Sequence, residues 1–454
     1  MVERDMYNEL LALGESILAS AKNFGADDVE LYIQKFYTSE MRIITDYITS
    51  RTGIDVGVGI RVSVGKSVGF YSVSTLEKEA VLEGVKEAMK IAKNKPEDPN
   101  FKQLPDPIKG FGRRGIFDDT LANMGNDELV NVSGELLKKC YEYLPETKKI
   151  DYSFTRSVGA FAIVSTRDIN VGDSGTVLVS YCEVQLPPSM DNAKGLSVIF
   201  SRKWSEGEFF EMSEKATKMA REAIGGKKIE TPFQGQMLLA NDVVSDYIHP
   251  LAYNISALNV QEGRSRFKDK LENKVAWDKL TILDDGQIED GIGTSLSDGE
   301  GIPMKTKYVI DKGVLKGFLY DSYTAYRENK VSTGNGVRRG YSSTPSPSIT
   351  NLVIEKEKNA NLEDLITEID KGVLIRGELL GAHLTDPIKG TFALTCLNAL
   401  YIESGEVKYP LKAVTTSGNF FEMLNNVLRI GSDYFIDYTG KYPSIIVDRI
   451  NLLL

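Results

Sequence analysis

The stretch "IDVGVGIRVSV", residues 54–64, decides how the first half of this chain folds. Ile54, Val56, Val58, Ile60, Val62 and Val64 fall at every second position, and an extended backbone carries such residues on one side. The pattern predicts a long β-strand with one buried face. Gly65-Lys66-Ser67 follows and invites comparison with a phosphate-binding loop. That loop needs a further glycine at the position of Ile60, and Gly59 is one residue too early. It also runs from strand into helix, whereas residues 62–64 and 68–70 read as two strands around a tight turn.

Outward from that hairpin, Leu10, Leu13, Ile17, Ala21 and Phe24 recur at helical spacing before Gly25, a residue suited to a left-handed helix end. Val29, Leu31 and Ile33 alternate as a strand, and helical spacing returns over 76–92 through Ala80, Gly84, Val85, Ala88 and Ile91. Pro96, Pro99, Pro105 and Pro107, with Gly110, Gly112 and Gly115, mark residues 94–118 as a connection. A helix over 127–143, a strand over 176–184 and a helix over 213–224, stopped by Gly225-Gly226, follow. The predicted fold class is α+β. Residues 1–229 form an N-terminal mixed domain with antiparallel strands and long helices, and residues 230–454 a mainly β C-terminal domain. In that second half, short strands are expected at 237–239, 307–310 and 399–403, and helices only at about 250–260, 361–371 and 420–429.

The 454 residues are 42% apolar and 26% charged, ordinary for a globular protein able to bury sizeable cores. A net charge of −10 argues against direct nucleic-acid binding, which needs clustered Lys and Arg. Cys140, Cys182 and Cys396 are far apart and odd in number, so they form neither a disulfide framework nor a CxxC zinc site. The acidic N-terminus lacks the basic start and apolar core of a signal peptide. No run approaches the ~18 apolar residues of a membrane span. These features point to a cytoplasmic chain with reduced thiols and no membrane contact.

Two motifs fail on inspection. "GDSGT" around Ser174 lacks the last glycine of a nucleophile elbow, and neither of the two histidines, His249 and His383, carries a triad signature. The acidic run "LDDGQIEDGIGTSLSDGEG", residues 283–301, fits no EF-hand register. It is expected to be a solvated Gly-rich loop whose acids cap turns. In "IHPLAYNISALN", residues 248–259, a zinc-protease helix would need glutamate after its first histidine and a second histidine beyond. Pro250 follows His249, and Tyr253 and Asn254 stand where a second histidine would be sought. On the residues alone, His249-Pro250 is a helix start, and one histidine is not a zinc site.

Several longer stretches together resemble the TldD/PmbA family, on its PmbA (TldE) side. They are "FGADDVELYIQ" (24–34), "GVGIRVSVGKSVGFYSVSTL" (57–76), "LSDGEGIPMKTKYVIDKGVLKGFLYDSYTA" (296–325), "STGNGVRR" (332–339), "GAHLTDPIKGTFAL" (381–394) and "LYIESGEVKYPLKAVTTSGNFFEML" (400–424). The family's peptidase members carry an HExxxH zinc helix and a further cysteine ligand near the C-terminus. That helix falls here on "HPLAYN", with His249 at the first histidine, Pro250 at the catalytic glutamate and Asn254 at the second histidine. The closing segment "GSDYFIDYTGKYPSIIVDRINLLL" contains no cysteine.

The resemblance therefore implies no catalytic residue, no metal and no other cofactor in this chain, with zinc expected in a partner subunit. It implies a non-catalytic subunit of a heterodimeric metallopeptidase acting on peptides and unfolded small proteins, paired with a zinc-bearing TldD-like paralogue. A homodimer remains open. Peptide contacts are expected at Thr333, Gly334, Asn335, Gly336, Arg338 and His383. Two other readings stay open: a regulatory protein acting on DNA gyrase or another partner through protein contact, and a stand-alone hydrolase of unrecognised chemistry.

Overall fold

The structure, a computed structural model, describes residues 4–45, 47–110 and 112–453. Phe111, inside the Pro/Gly-rich connection, and the first three residues of the N-terminal segment lie outside the described residues. The first half is built on one sheet of β1 (Asp28–Ile44), β2 (Tyr47–Val64), β3 (Ser67–Val73), β4 (Lys149–Ser165), β5 (Asn170–Gln185) and β6 (Lys194–Ser201). Their order is β3-β2-β1-β4-β5-β6, and every neighbouring pair is antiparallel. Gly65, at φ +59, turns the chain from β2 into β3 as a hairpin. Ser174 lies within β5, and its hydroxyl donates to the Arg4 carbonyl.

Four helices cover one face of this sheet. Met6–Ala21 and Lys78–Asn94 pack Ile17, Val85 and Ala88 onto Leu31, Ile33, Val58, Ile60 and Val62. Asn126–Tyr143 and Glu206–Glu222 pack Leu136, Phe209 and Met212 onto Met41, Ile43, Tyr152 and Phe154. Along β1 the core residues 29, 31, 33, 41 and 43 are all odd-numbered, so both clusters share one side of the strand.

The opposite face was expected to meet water, and the structure corrects this. Glu30 and Gln34 on β1 and Arg61 on β2 are buried there against the second half of the chain, and Ser63 on β2 is buried beside Asp28. Gly57 and Gly59 make this possible, because a Cβ at Gly59 would stand 2.3 Å from the Tyr341 carbonyl oxygen. Past this cover the β1–β2 hairpin continues into solvent with Tyr47, Ile48 and Ile54 exposed. Strand β3 pairs with β2 only from Val58 to Val64, which leaves an open edge over residues 47–57.

Among the described residues no strand of the first sheet lies beyond Ser201, and the strands of the second half begin at Phe233. A nine-stranded sheet includes Phe233–Leu239, Lys371–Ile375, Thr391–Cys396, Val414–Asn419 and Ile445–Leu453. A six-stranded sheet includes Ile282–Asp285, Thr306–Asp311, Leu352–Ile354 and Gly440–Tyr442. Both contribute to one apolar core, and the helix Val244–Ile255 lies within it.

Two expected helices are shorter than their periodicity suggested. Leu362–Thr367 gives way to the strand Lys371–Ile375, and Phe420–Asn425 to the strand Val427–Ile430. Pairing decides both: Lys371–Ile375 is held between two strands, and Val427–Ile430 pairs with Ile445–Leu453.

The acidic run 283–301 is also corrected. Glu289 and Asp290 face solvent, but Asp284, Asp298 and Glu300 are at most 1% exposed. Its acids do cap turns: Asp298 Oδ1 accepts from the Glu300 and Ile302 backbone N–H groups at 2.8 and 3.0 Å. The loop packs against the first sheet, and two basic side chains neutralise the junction. Arg61 donates to Glu30 and reaches Glu300 Oε1 at 3.1 and 3.2 Å, and Arg338 donates to Glu30. Burial alone would raise the Glu30 carboxyl, but Arg61 and Arg338 overcome it and hold it below the usual range.

Candidate functional site

The helix Val244–Ile255 presents Tyr247, Ile248, Leu251, Asn254 and Ile255 to the core, a stripe at helical spacing. It begins behind a short 3-10 turn, Asn241–Val243, so Pro250 lies inside the helix and not at its first position. The expected helix start is therefore misplaced. Packing of the apolar stripe on both sides of Pro250 outweighs the intrahelical bond that proline cannot donate. His249 is exposed while Pro250 is buried.

Asn254, fully buried, is engaged on both ends of its amide. Nδ2 donates to the carbonyls of Pro250 at 2.9 Å and Pro387 at 2.7 Å, and Oδ1 accepts from the Arg266 backbone N–H at 2.8 Å. Where a second metal-binding histidine would stand, the chain has a clamp joining the helix to two loops. The residues present do not fit zinc, since Asn254 is committed elsewhere and Pro250 offers neither a base nor a ligand. Among the described residues no group of three or more His, Cys, Asp or Glu is placed to hold a metal ion.

Both histidines nevertheless line one cavity of about 240 Å³, between the helix, the turn Ala382–Leu384 and the strand Gly440–Tyr442. Asp246 lines it as well, one helical turn before His249 and on the same side of the helix. Burial pushes the Asp246 carboxyl up to about 6, and the nearby Asp437 carboxylate adds to the effect. Thr385, 8% exposed, lines the same cavity with its Oγ1 lacking a hydrogen-bond partner.

The structure brings His249 and His383 together, but none of residues 333–338 lines their cavity. Asn335 is fully buried: Nδ2 donates to Asp284 and to the Ser348 carbonyl, and Oδ1 accepts from Lys307 and Thr333. Arg338 donates to Gly299, Ser343 and Glu30. Gly334 takes a φ of +74, and a Cβ at Gly336 would stand 2.8 Å from the Glu300 side chain. Thr333, Asn335 and Arg338 thus join loops and halves of this chain, while His383 lines the cavity. Asp246 and Thr385 were missed. Asp246 read as an ordinary first-turn acid, although its spacing of three from His249 was a usable signal; Thr385 gains meaning only from the cavity.

Comparison with known proteins agrees with this construction. The profile of the PmbA/TldA metallopeptidase C-terminal domain matches residues 234–453, and that of PmbA/TldA metallopeptidase domain 1 matches residues 29–92. A metalloprotease PmbA homolog of Buchnera aphidicola from Acyrthosiphon pisum is 28% identical over 222 residues, 49% of this chain and 46% of that one. A metalloprotease TldD homolog of the same organism is 32% identical over 177 residues, 39% of this chain and 36% of that one. Each of these two matches thus covers less than half of the relative's length. The crystal structure of TldE from Thermococcus kodakarensis has the same fold, with a TM-score of 0.86 at 21% identity over 97% of this chain and 100% of that one. With more than half of its length matched by two profiles of one family, the chain belongs to the PmbA/TldD metallopeptidase family.

Proposed function

We propose that this chain is a non-catalytic subunit that pairs with a zinc-bearing TldD-like paralogue and helps hold peptides or unfolded segments for cleavage. The observation that carries the reading is Asn254, which stands in place of a metal ligand with its amide committed to Pro387 and Arg266. Pro250 stands where the catalytic glutamate would be, so that position supplies no base to activate water. The occurrence of PmbA and TldD homologues in one organism fits a working pair of paralogues. A reducing, cytoplasmic setting fits three buried free cysteines and the lack, among the described residues, of a helix long and apolar enough to cross a membrane.

The test is co-expression of the chain with the HExxxH-bearing paralogue from the same source, beside each chain alone. Bound zinc and cleavage of an unfolded peptide are then measured. The chain alone is expected to hold no stoichiometric zinc and cleave nothing, and the pair to cleave. Zinc-dependent cleavage by the chain alone overturns the reading.

A further inference from the structure

We propose that the cavity beside His249 and His383 binds a primary ammonium group carried on a short apolar body, with Asp246 as its counter-ion and Thr385 Oγ1 as a second acceptor. The inference rests on the reading of this chain as a peptide-binding subunit and names the part of a peptide that the subunit holds.

Four observations converge. Asp246 is half-buried, and among the described residues it has no hydrogen-bond or ion-pair partner. A carboxylate withdrawn from water without a partner is costly and calls for a cation. Asp437 adds negative potential, while its Oδ1 is taken by the Thr439 and Gly440 backbone N–H groups and the Thr439 hydroxyl. Independently, Thr385 lines the same cavity and its buried Oγ1 has no partner, so rotation about its Cα–Cβ bond would offer that oxygen to a bound donor.

The rest of the lining is largely apolar, with Ile248, Ala252, Ile349 and Leu352, and so suits a hydrocarbon stem. At about 240 Å³ the space lies below the ~300–1,000 Å³ of drug-sized sites, and it suits one residue. Among the described residues no three His, Cys, Asp or Glu side chains are placed to hold a metal ion here. An ammonium brings three rotating donors, which match the two Asp246 carboxylate oxygens and Thr385 Oγ1, whereas a guanidinium would leave two of its five fixed donors unmet by them. The ammonium has two sources in a peptide, the N-terminal α-amine and a lysine side chain.

Calorimetric titration of the full-length chain, without its paralogue, separates this inference from the subunit reading, which is tested by zinc and turnover. Three short peptides serve as probes: one with a free N-terminus and no lysine, its N-acetylated form, and an N-acetylated form containing lysine. At least one ammonium-bearing peptide is expected to bind about tenfold or more tightly than the acetylated lysine-free one, a typical effect of a charge-assisted hydrogen bond. Which of the two binds identifies the source. Asp246→Asn is expected to remove that preference, and Thr385→Val to reduce it, with circular dichroism and melting temperature confirming that both variants fold. Equal binding of the three peptides, an unchanged preference in folded Asp246→Asn, or no binding of any probe at millimolar concentration overturns the proposal.

Discussion

Asn254 Nδ2 lies 2.7 Å from the carbonyl oxygen of Pro387, a bond that ties the central helix of the second half to the loop following His383. Removing the amide takes that partner from the carbonyl and from the Arg266 N–H, both of which are partly withdrawn from water. Asn254→Ala is therefore expected to lower the free energy of unfolding by about 1–3 kcal/mol in urea titration. Restoring the zinc signature with Pro250→Glu and Asn254→His together is expected to yield no stoichiometric zinc by metal analysis. An imidazole cannot replace the clamp, and the remaining ligand near the C-terminus is missing.

Arg61 joins two carboxylates from different halves of the chain, Glu30 at 2.8 Å and Glu300 at 3.1 Å. Arg61→Leu leaves buried negative charge with only Arg338 to balance it, and a loss of about 3–5 kcal/mol is expected by denaturant unfolding. Arg51 pairs with Glu40 at 2.7 Å in an exposed position, and Arg51→Ala is expected to leave the unfolding midpoint unchanged.

The same junction sets a pH dependence. Burial, and then the charge of Glu300, holds the Asp298 and Asp321 carboxyls well above the usual range. In this window the folded chain binds more protons than the unfolded chain. Their contribution is complete below the unfolded value of about 3.9 and is lost as pH rises through the raised values. The melting temperature is expected to fall as pH rises from about 4 to about 8, the value to which the Asp298 carboxyl is raised. Glu300→Gln removes the repulsion shared by both acids and is expected to flatten that slope in the same thermal scan.

Close approach of the halves over Gly59 gives a steric test. A methyl group there meets the Tyr341 carbonyl at 2.3 Å, so Gly59→Ala is expected to destabilise by about 1–3 kcal/mol or more. On the exposed part of the same strand, a Cβ at Gly53 meets nothing within 4 Å. Gly53→Ala is expected to be neutral by the same measurement.

Much of the first sheet was legible because alternation reports one buried face directly. Val58, Ile60 and Val62 behave as their spacing dictates, and the turn at Gly65 falls where two strands require it. Burial of the reverse face was not legible, since Gly57, Gly59, Arg61 and Ser63 resemble a solvated face until Glu300 and Tyr341 arrive from far along the chain. Strand β4 escaped notice although Ile150, Tyr152 and Phe154 alternate within it, because Arg156 interrupts the apolar series. At the candidate site the histidines were visible by residue type alone. The acids of 283–301 were not readable as buried, because the composition that suits a wet loop also suits one neutralised by Arg61 and Arg338.

The charged junction also bears on how such a protein can be recombined. Glu30 and Arg61 pair within the first half, and each also reaches the second, Arg61 to Glu300 and Glu30 to Arg338, so the four charges balance only when both halves are present. A chimera spliced between residues 201 and 233 would keep both sheets intact. It would still strand a charge away from water wherever the donor sequences differ at any of these four positions. The two halves are thus bound to change in step, as the wards of one lock are bound to its key.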